Sequence, residues 1–331
     1  MREQDIRPKG LEKKYDELFR KDLERFFGGF KNFIKVNCPA CDSINYEVEF
    51  EKKSFKFCRC GSCRTLFINP RPSQKQLADF YSTAKSVIYW SKYVFPASEE
   101  VRMKNIFAPR AKLIKKIVKS FYPSEISLVL DVGAGYGSFL EAARKLNLAQ
   151  NYLAIEPAKE SAKKCRDRGF EVMEKMIEDI VLSKKADLVV NFELIEHLFN
   201  PRLFIKSCHK LLKRGGLFIV TTPNILGFDL VILGKKSDNL AGPAHLNYFN
   251  LKSLSRLLVK EGFEILECLT PGELDVDIIK NKIISGKIKE DDLPFWGRAI
   301  KEDVDGFNNK LQEFLKNNRL SSNLMIVARK K

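Results

Sequence analysis

The stretch that decides the fold is SLVLDVGAGYGSFLEAARKLN, residues 127–147. Its apolar run LVL predicts a strand that is buried on both faces of a parallel sheet. The turn that follows contains three glycines: Gly133, Gly135 and Gly137. Glycines between a strand and a helix let the backbone approach a ligand that a Cβ atom would exclude. Because the acidic Asp131 directly precedes this turn, we interpret it as a ligand-binding loop.

A second acidic residue follows at the spacing typical of nucleotide-binding sheets. The segment NYLAIEP, residues 151–157, predicts a second strand that ends at Glu156. An acidic side chain about 20 positions after a glycine loop is placed to bind ribose hydroxyls. This pattern is compatible with both NAD and S-adenosylmethionine (SAM), so it leaves the cofactor open between the two.

Residues 186–224 decide between these cofactors, and they read ADLVVNFELIEHLFNPRLFIKSCHKLLKRGGLFIVTTPN. They contain an E-x-x-E-H pattern after a predicted fourth strand, an L-L-K-x-G-G turn, and a fifth strand that ends in TPN. With these linked motifs, the chain from about residue 126 to its end resembles the class I SAM-dependent methyltransferases. The resemblance implies a Rossmann-like α/β fold, with a mostly parallel sheet whose last strand is antiparallel. Segments 262–270 and 323–331 match its final antiparallel pair, and residues 271–321 predict a helical insertion between them.

The resemblance also assigns residues to the cofactor. It places the methionine part of SAM against the loop from Asp131 to Gly137, and it implies that Glu156 binds both ribose hydroxyls. Met176 and Ile177, after the third strand, are expected to flank the adenine, although ordinary core packing explains them nearly as well. The residues expected to line the pocket after the fourth strand are Asn191 and Phe192.

Two C-x-x-C pairs near the start of the chain predict a structural zinc site. Cys38 and Cys41 are separated from Cys60 and Cys63 by 18 residues, and each pair presents two thiolates from one turn. A disulfide framework is disfavoured in a reducing cytoplasm, and no βαβ unit surrounds either pair, which disfavours thioredoxin-like chemistry. Cys58 shares a strand face with Cys60, so a pairing of Cys58 with Cys63 stays open as an alternative.

The zinc segment and a later motif together suggest the acceptor. RCGSCRTLFINPRPS, residues 59–73, resembles the zinc-binding segment of bacterial methyltransferases of sugar and cell-surface glycan biosynthesis. HLNYF, residues 245–249, resembles the H-x-x-Y-F element of sugar C-methyltransferases with such a segment. Those enzymes carry a tyrosine and a glutamate shortly before the histidine, whereas this chain has AGPA at 241–244. The departure favours methylation of a hydroxyl over a carbon of a sugar, nucleotide-sugar, glycan or similar small polar acceptor.

Three residues are therefore candidates for catalysis: His245, Glu196 and His197. His245 is the candidate general base, because it follows the fifth strand on the side where open α/β sheets bind ligands. A histidine that only tethers its loop is the alternative. Glu196 and His197 are expected near the cofactor, where such a pair more often organises the site than performs chemistry.

The sequence divides into four predicted parts. They are a helical arm (1–37), a zinc ribbon (38–72), a helical connector (73–125) and the SAM-dependent methyltransferase domain (126–331). No stretch approaches the roughly 20 apolar residues that span a bilayer, and the first residues show no signal-peptide pattern. We therefore expect a cytoplasmic protein without membrane insertion.

The net charge of +16 raises the possibility of a nucleic-acid partner. However, residues 1–72, 73–125 and 126–331 carry +5, +6 and +5, so the charge is dispersed along the chain. The densest basic run, 102–120, predicts an amphipathic helix whose basic residues, Arg110 among them, form a solvated face. Attraction to an anionic substrate, such as a phosphorylated or nucleotide-linked molecule, is the second interpretation of this run. An RNA methyltransferase that uses the ribbon and the basic surface is the second hypothesis. A non-catalytic assembly protein is the third, and the intact glycine loop argues against it.

Overall fold

The computed structural model describes residues 2–6, 8–293 and 295–331. The strands are β1 (Tyr46–Lys52), β2 (Phe55–Cys60), β3 (Leu66–Ile68), β4 (Leu128–Val132), β5 (Asn151–Ile155), β6 (Glu171–Met173), β7 (Ala186–Phe192), β8 (Leu212–Pro223), β9 (Asn247–Tyr248), β10 (Phe263–Leu269) and β11 (Asn323–Lys330). The helices are α1 (Glu3–Ile6), α2 (Lys9–Phe27), α3 (Gln74–Thr83), α4 (Lys85–Tyr89), α5 (Phe95–Arg102), α6 (Ala108–Phe121), α7 (Ser138–Lys145), α8 (Lys159–Asp167), α9 (Pro201–Leu211), α10 (Phe228–Leu233), α11 (Leu251–Lys260), α12 (Asp275–Ile284), α13 (Trp296–Glu302) and α14 (Phe307–Asn317).

Seven strands form the central sheet in the order β10-β11-β8-β7-β4-β5-β6. Strands β4 to β8 pair in parallel, whereas β11 runs antiparallel between β8 and β10. The predicted class I methyltransferase sheet, mostly parallel with an antiparallel last strand, is confirmed. Because β4 and β7 are parallel neighbours, the loops after their carboxyl ends, which begin at Gly133 and Glu193, meet at one edge of the sheet.

The central sheet is buried on both faces, as the apolar run in β4 predicted. Leu130 and Val132 pack into the core on one face, while Val129 packs into the core on the other. Successive strand residues point to opposite faces, so a strand that is covered on both sides needs apolar side chains at nearly every position. This explains why the strands that carry the site read as continuous apolar runs.

The ribbon has its own four-stranded sheet, in the order β1-β2-β3-β9. Its last strand does not come from residues 38–72. In β9, Tyr248 pairs with Leu66 and Asn247 pairs with Phe67, so the chain just after His245 completes the ribbon sheet. No sequence pattern indicated this pairing, because β9 has only two residues and its partner strand lies about 180 positions earlier in the chain.

The arm, ribbon and connector share one hydrophobic core. It includes Phe19 and Phe27 from α2, Phe57 from the ribbon and Phe80 from α3, and Tyr248 of β9 joins it. The helices α12 to α14 follow β10 and precede β11 in the sequence. They pack around a separate hydrophobic cluster that includes Ile279, Ile300 and Leu311. Within the described ranges, no helix is both long enough and apolar enough to cross a bilayer.

Candidate active site

The glycine loop after β4 combines two tightly packed positions with one open position. All three glycines have positive φ: +75° at Gly133, +55° at Gly135 and +73° at Gly137. A Cβ at Gly133 would lie 2.7 Å from Leu194 Cδ2, and one at Gly137 would lie 3.0 Å from Cys165 Sγ. A Cβ at Gly135 would meet no atom within 4 Å. The backbone at Gly135 therefore faces open space, which is what close approach of a ligand requires.

Glu156 holds this loop from the end of β5. Its Oε2 accepts a hydrogen bond from the amide of Gly135, and its Oε1 accepts one from the amide of Ala158, each at 2.9 Å. Burial raises the pKa of Glu156, and the two amides partly oppose that shift. Glu156 thus lies beside the glycine loop, as the spacing predicted, and its binding of ribose hydroxyls stays a prediction.

Asp131, at the end of β4, carries an orphaned carboxyl oxygen. The residue is only 2% exposed, and among the described residues its Oδ1 has no hydrogen-bond partner. Burial raises the pKa of Asp131 to about 8, and the charge of Arg110 partly opposes this effect. A buried carboxyl oxygen without a donor is rare in proteins and marks a place where a ligand can supply one. The position suits a cationic amine.

Arg110 lies in the site and not on a solvated face, so the sequence interpretation of this residue was wrong. Its guanidinium carbon lies 4.6 Å from the centre of the Phe192 ring, and burial lowers its pKa, while Glu193 and Asp131 oppose that effect. The reason is helical geometry: Arg110 precedes Leu113 by three positions and so lies on the apolar stripe of α6. That spacing was the signal that could have identified it.

The remaining residues predicted for the cofactor lie in different surroundings. Asn191 is fully buried and donates from Nδ2 to the carbonyl of Val132 at 2.9 Å, whereas the Phe192 ring packs 4.7 Å from that of Phe139. Met176 is 46% exposed, while Ile177 is buried in the core. The adenine assignment of Met176 and Ile177 stays a prediction.

The three catalytic candidates are brought together by the fold. Glu196, His197 and His245 each offer an oxygen or nitrogen atom, and these atoms all lie within 4.8 Å of one another. The two imidazole rings are 4.6 Å apart and nearly perpendicular. Loops after β7 and β8 that are far apart in sequence thus form one cluster at the carboxyl edge of the sheet.

Backbone carbonyls determine which nitrogen of each histidine carries the proton. His245 Nδ1 lies 3.1 Å from the carbonyl of Asn239, and His197 Nδ1 lies 2.6 Å from that of Ala244. A carbonyl only accepts hydrogen bonds, so Nδ1 is the donor in each of these two contacts. Burial lowers the pKa of His197, which favours its neutral form.

Glu196 and Tyr81 complete the cluster. Glu196 is 1% exposed and accepts a hydrogen bond from Thr222 Oγ1 at 2.8 Å; burial, followed by the charge of Glu193, raises its pKa well above the usual value. Tyr81, from α3 of the connector, donates to the carbonyl of Ala244 at 2.9 Å and lies 3.0 Å from His197 Nδ1. No sequence motif pointed to Tyr81, because its approach depends on how the connector packs.

One cavity of ≈ 2610 Å³ joins the glycine loop to this cluster. Of the residues predicted to bind the cofactor, those that line this cavity are Asp131, Gly133, Gly135 and Phe192. All three catalytic candidates line the same cavity, as do Arg110 and Tyr81. A ligand on the glycine loop and a second ligand beside His245 would therefore share one space.

The four predicted zinc ligands converge within the ribbon. The sulfur atoms of Cys38 and Cys63 are 3.5 Å apart, those of Cys41 and Cys60 are 3.6 Å apart, and all four lie within 4.8 Å of one another. Zinc–sulfur bonds of about 2.3 Å in a tetrahedron place the sulfurs about 3.8 Å apart, so the donor set fits Zn²⁺. Cys58 donates instead to the carbonyl of Asn69, so the cluster contains Cys60 and not Cys58.

The ribbon directly contacts the segment that contains His245. Asn250 Nδ2 donates to the carbonyl of the zinc-ligand candidate Cys63 at 3.0 Å, and the amide of Ile68 in β3 donates to the carbonyl of Leu246 at 3.0 Å. The amide of Leu246 in turn donates to the carbonyl of Glu196 at 2.8 Å. The residues that follow His245 are thus held between the ribbon and the cluster of Glu196, His197 and His245.

Comparisons with known proteins agree with this architecture. Residues 105–268 match a family model described as a methyltransferase domain. The chain is 31% identical over 134 residues to a "Probable S-adenosylmethionine-dependent methyltransferase" of Mycobacterium tuberculosis, covering 40% of this chain and 46% of that protein. It is 31% identical over 125 residues to the mitochondrial "Ubiquinone biosynthesis O-methyltransferase" of Rattus norvegicus, covering 34% and 36%. The chain thus spans less than half the length of these relatives.

A solved structure, the plantazolicin methyltransferase BpumL in complex with SAH, aligns with a TM-score of 0.49 at 13% sequence identity. The alignment covers 77% of this chain and 94% of that chain.

Proposed function

We propose that this protein, whose residues 105–268 match the model of a methyltransferase domain, transfers the methyl group of SAM to a hydroxyl of a carbohydrate or similar small polar acceptor. The observation that carries the proposal is the shared cavity. It is lined at one place by the glycine loop with the orphaned oxygen of Asp131, and at another by the cluster that contains His245.

The residues of the glycine loop suit SAM. Asp131 would accept hydrogen bonds from the amino group of its methionine part, and the open backbone at Gly135 would lie against the cofactor. Glu156 would bind the ribose hydroxyls from its position beside the loop. SAM supplies a methyl group on a positively charged sulfur, which leaves as a neutral thioether when a nucleophile attacks.

His245 is proposed as the base that takes the acceptor proton. Its Nδ1 donates to the carbonyl of Asn239, which fixes the ring and leaves the basic lone pair on Nε2. A hydroxyl beside Nε2 would lose its proton to that nitrogen as its oxygen bonds to the methyl carbon. Such a positioned base typically contributes about a hundredfold or more to the rate. Glu196 and His197 would shape this side of the cavity.

Zinc is proposed to be held by the thiolates of Cys38, Cys41, Cys60 and Cys63, with a structural role. The described cysteines form no disulfide, which suits the reducing cytoplasm where we propose that the protein acts.

A carbohydrate acceptor is supported by the resemblance of the zinc segment and the HLNYF element to sugar methyltransferases. Hydroxyl chemistry is supported by the absence of the tyrosine and glutamate that precede the histidine in the C-methylating enzymes, and one relative named above is an O-methyltransferase.

The test is transfer of a labelled methyl group. Purified protein is incubated with methyl-labelled SAM and, separately, with fractionated small molecules, nucleotide sugars, glycans and total RNA from cell extract. Label in a carbohydrate fraction, stable to base as an ether, supports the proposal. Label in RNA alone would overturn the acceptor class, and no binding of SAM or S-adenosylhomocysteine would overturn the proposal as a whole.

A further inference from the structure

One cationic side chain of the cavity has no role in the proposed transfer. Arg110, in the first turn of α6, lines the cavity together with Asp131 and Phe192. The residue is half-buried, so part of its side chain is open to the cavity. A π-helical turn, Met103–Phe107, directly precedes α6, and such turns are rare in proteins and often occur at functional sites.

The guanidinium of Arg110 has unused hydrogen-bond donors. Such a group carries five N–H bonds, yet within the described ranges Arg110 donates no hydrogen bond and forms no ion pair. Its contacts are the Phe192 ring, whose centre lies 4.6 Å from the guanidinium carbon, and the more distant charges of Glu193 and Asp131. Unused donors on a side chain that lines a cavity point to a ligand that accepts them.

The Phe192 ring holds the guanidinium at the start of the glycine loop. Phe192 is the last residue of β7, and its ring packs 4.7 Å from that of Phe139. Val190, two positions earlier, pairs with Asp131 of the neighbouring strand β4. A cation over an aromatic ring is attracted by the electrons of the ring face, so this contact orients Arg110 without using its N–H groups.

The charges at this place match those of the methionine part of SAM. Burial lowers the pKa of Arg110, and the charges of Glu193 and then Asp131 oppose that effect, so one cation lies among two carboxyl groups. The methionine part of SAM has the opposite pattern, with an ammonium, a sulfonium and one carboxylate. Its ammonium and carboxylate are bonded to the same carbon atom. A partner for the carboxylate must therefore lie close to Asp131, and Arg110 is the cation whose charge acts on Asp131.

We propose that Arg110 binds the carboxylate of the methionine part of SAM, so that Arg110 and Asp131 together hold the amino-acid end of the cofactor. The inference rests on the proposed function, because that proposal places SAM against the glycine loop. A planar guanidinium donates two parallel hydrogen bonds to a carboxylate and so fixes its orientation. The carboxylate does not react during methyl transfer, which makes Arg110 a positioning residue.

The test compares two ligands that differ only in this carboxylate. Full-length protein is titrated calorimetrically with S-adenosylhomocysteine and with its decarboxylated form, S-adenosyl-3-thiopropylamine, which keeps the ammonium. The native protein should bind S-adenosylhomocysteine at least about tenfold more tightly, the usual scale for hydrogen bonds between charged groups. Arg110→Met should reduce this preference to about threefold or less.

Three further variants make the result specific. Arg110→Lys keeps the charge and loses the planar pair of donors, so it should bind S-adenosylhomocysteine more tightly than Arg110→Met does. Asp131→Asn should weaken both ligands by a similar factor, because both carry the ammonium. Lys116→Met removes an exposed charge from the same helix and should leave both affinities unchanged.

Two outcomes would overturn the inference: equal binding of the two ligands by the native protein, or a native preference that persists in Arg110→Met. Because both ligands are titrated against the same variant, a loss of stability affects both and leaves their ratio readable. Arg110→Gln, a smaller polar change, gives the same comparison if Arg110→Met does not fold. If the native protein binds S-adenosylhomocysteine without preference, only this inference fails; if it binds neither ligand, the proposed function fails with it.

Discussion

Replacing Gly135 by arginine tests directly whether the glycine loop carries SAM. Gly135 has φ +55°, and a Cβ built there meets no atom within 4 Å. A larger side chain at this position therefore extends into the cavity and not into the core. We expect the variant to fold and to lose SAM binding, because the arginine occupies the space in which the cofactor would lie against the loop.

The cost to stability can be worked from the backbone. A side chain in the left-handed region costs about 1–2 kcal/mol, and no steric clash adds to this at Gly135. For a domain of roughly 200 residues, 1 kcal/mol lowers Tm by about 2–4 °C, so the expected loss is about 2–8 °C. Alanine at Gly133 would be less informative, since its Cβ would lie 2.7 Å from Leu194 Cδ2 and would disturb packing as well.

The assay is calorimetric titration with S-adenosylhomocysteine, together with thermal unfolding. Gly215→Arg is the matched control: Gly215 also has positive φ, at +76°, with no atom within 4 Å of a built Cβ, and it lies at the opposite end of β8 from the site. Gly215→Arg should lose similar stability and keep its affinity. A folded Gly135→Arg variant that binds S-adenosylhomocysteine as tightly as the native protein would refute the assignment of the loop.

Three further predictions concern the metal, the base and the buried acid. Cys60→Ser should lose one zinc per chain by elemental analysis, while Cys58→Ser should keep it; the reverse result would move the fourth ligand. His245→Ala should reduce methyl transfer by about a hundredfold and leave SAM affinity nearly unchanged. The control His209→Ala replaces a histidine outside the cluster and should change neither the rate of transfer nor the SAM affinity. Full turnover in His245→Ala would make His245 a tether of its loop. Because burial raises the pKa of Asp131 from about 4 to about 8, its protonated form stabilises the fold at low pH, and this contribution is lost as the pH rises through about 8. Ligand-free protein should therefore lose less stability between pH 6 and pH 9 when it carries Asp131→Asn, and identical thermal profiles would contradict the buried orphaned carboxyl.

Features set by local pattern could be predicted from the sequence. The strand, glycine turn and helix at 127–147 follow from an apolar run, three glycines and helical spacing. These three signals are adjacent in the sequence and depend on no distant residue. The clustering of the four cysteines was likewise predictable, because each C-x-x-C pair brings two sulfur atoms together within one turn. Glu156 was placed correctly beside the loop because a second parallel strand must end at the same edge of the sheet.

Features set by distant packing could not be predicted. Tyr81 reaches His197 only because α3 packs on the arm and the ribbon, and nothing around Tyr81 in the sequence marks it as part of a site. Arg110 lies between these two cases. The basic run around it suggested a charge at the surface, whereas its position on the apolar stripe of α6 indicated burial.

The pairing of β9 with β3 has a consequence for how the protein is made. Residues 38–68 leave the ribosome early, but the edge of β3 finds its partner only when residues 247 and 248 have been synthesised. At a usual synthesis rate of roughly 5–20 residues per second, the edge of β3 waits on the order of 10–40 seconds. During that time an unpaired strand edge is open to pairing with other chains. If the two C-x-x-C pairs bind zinc early, the metal would hold this strand edge in one conformation while it waits. Limiting zinc during synthesis should therefore lower the yield of folded protein markedly, whereas removing zinc from the finished protein should lower its stability less.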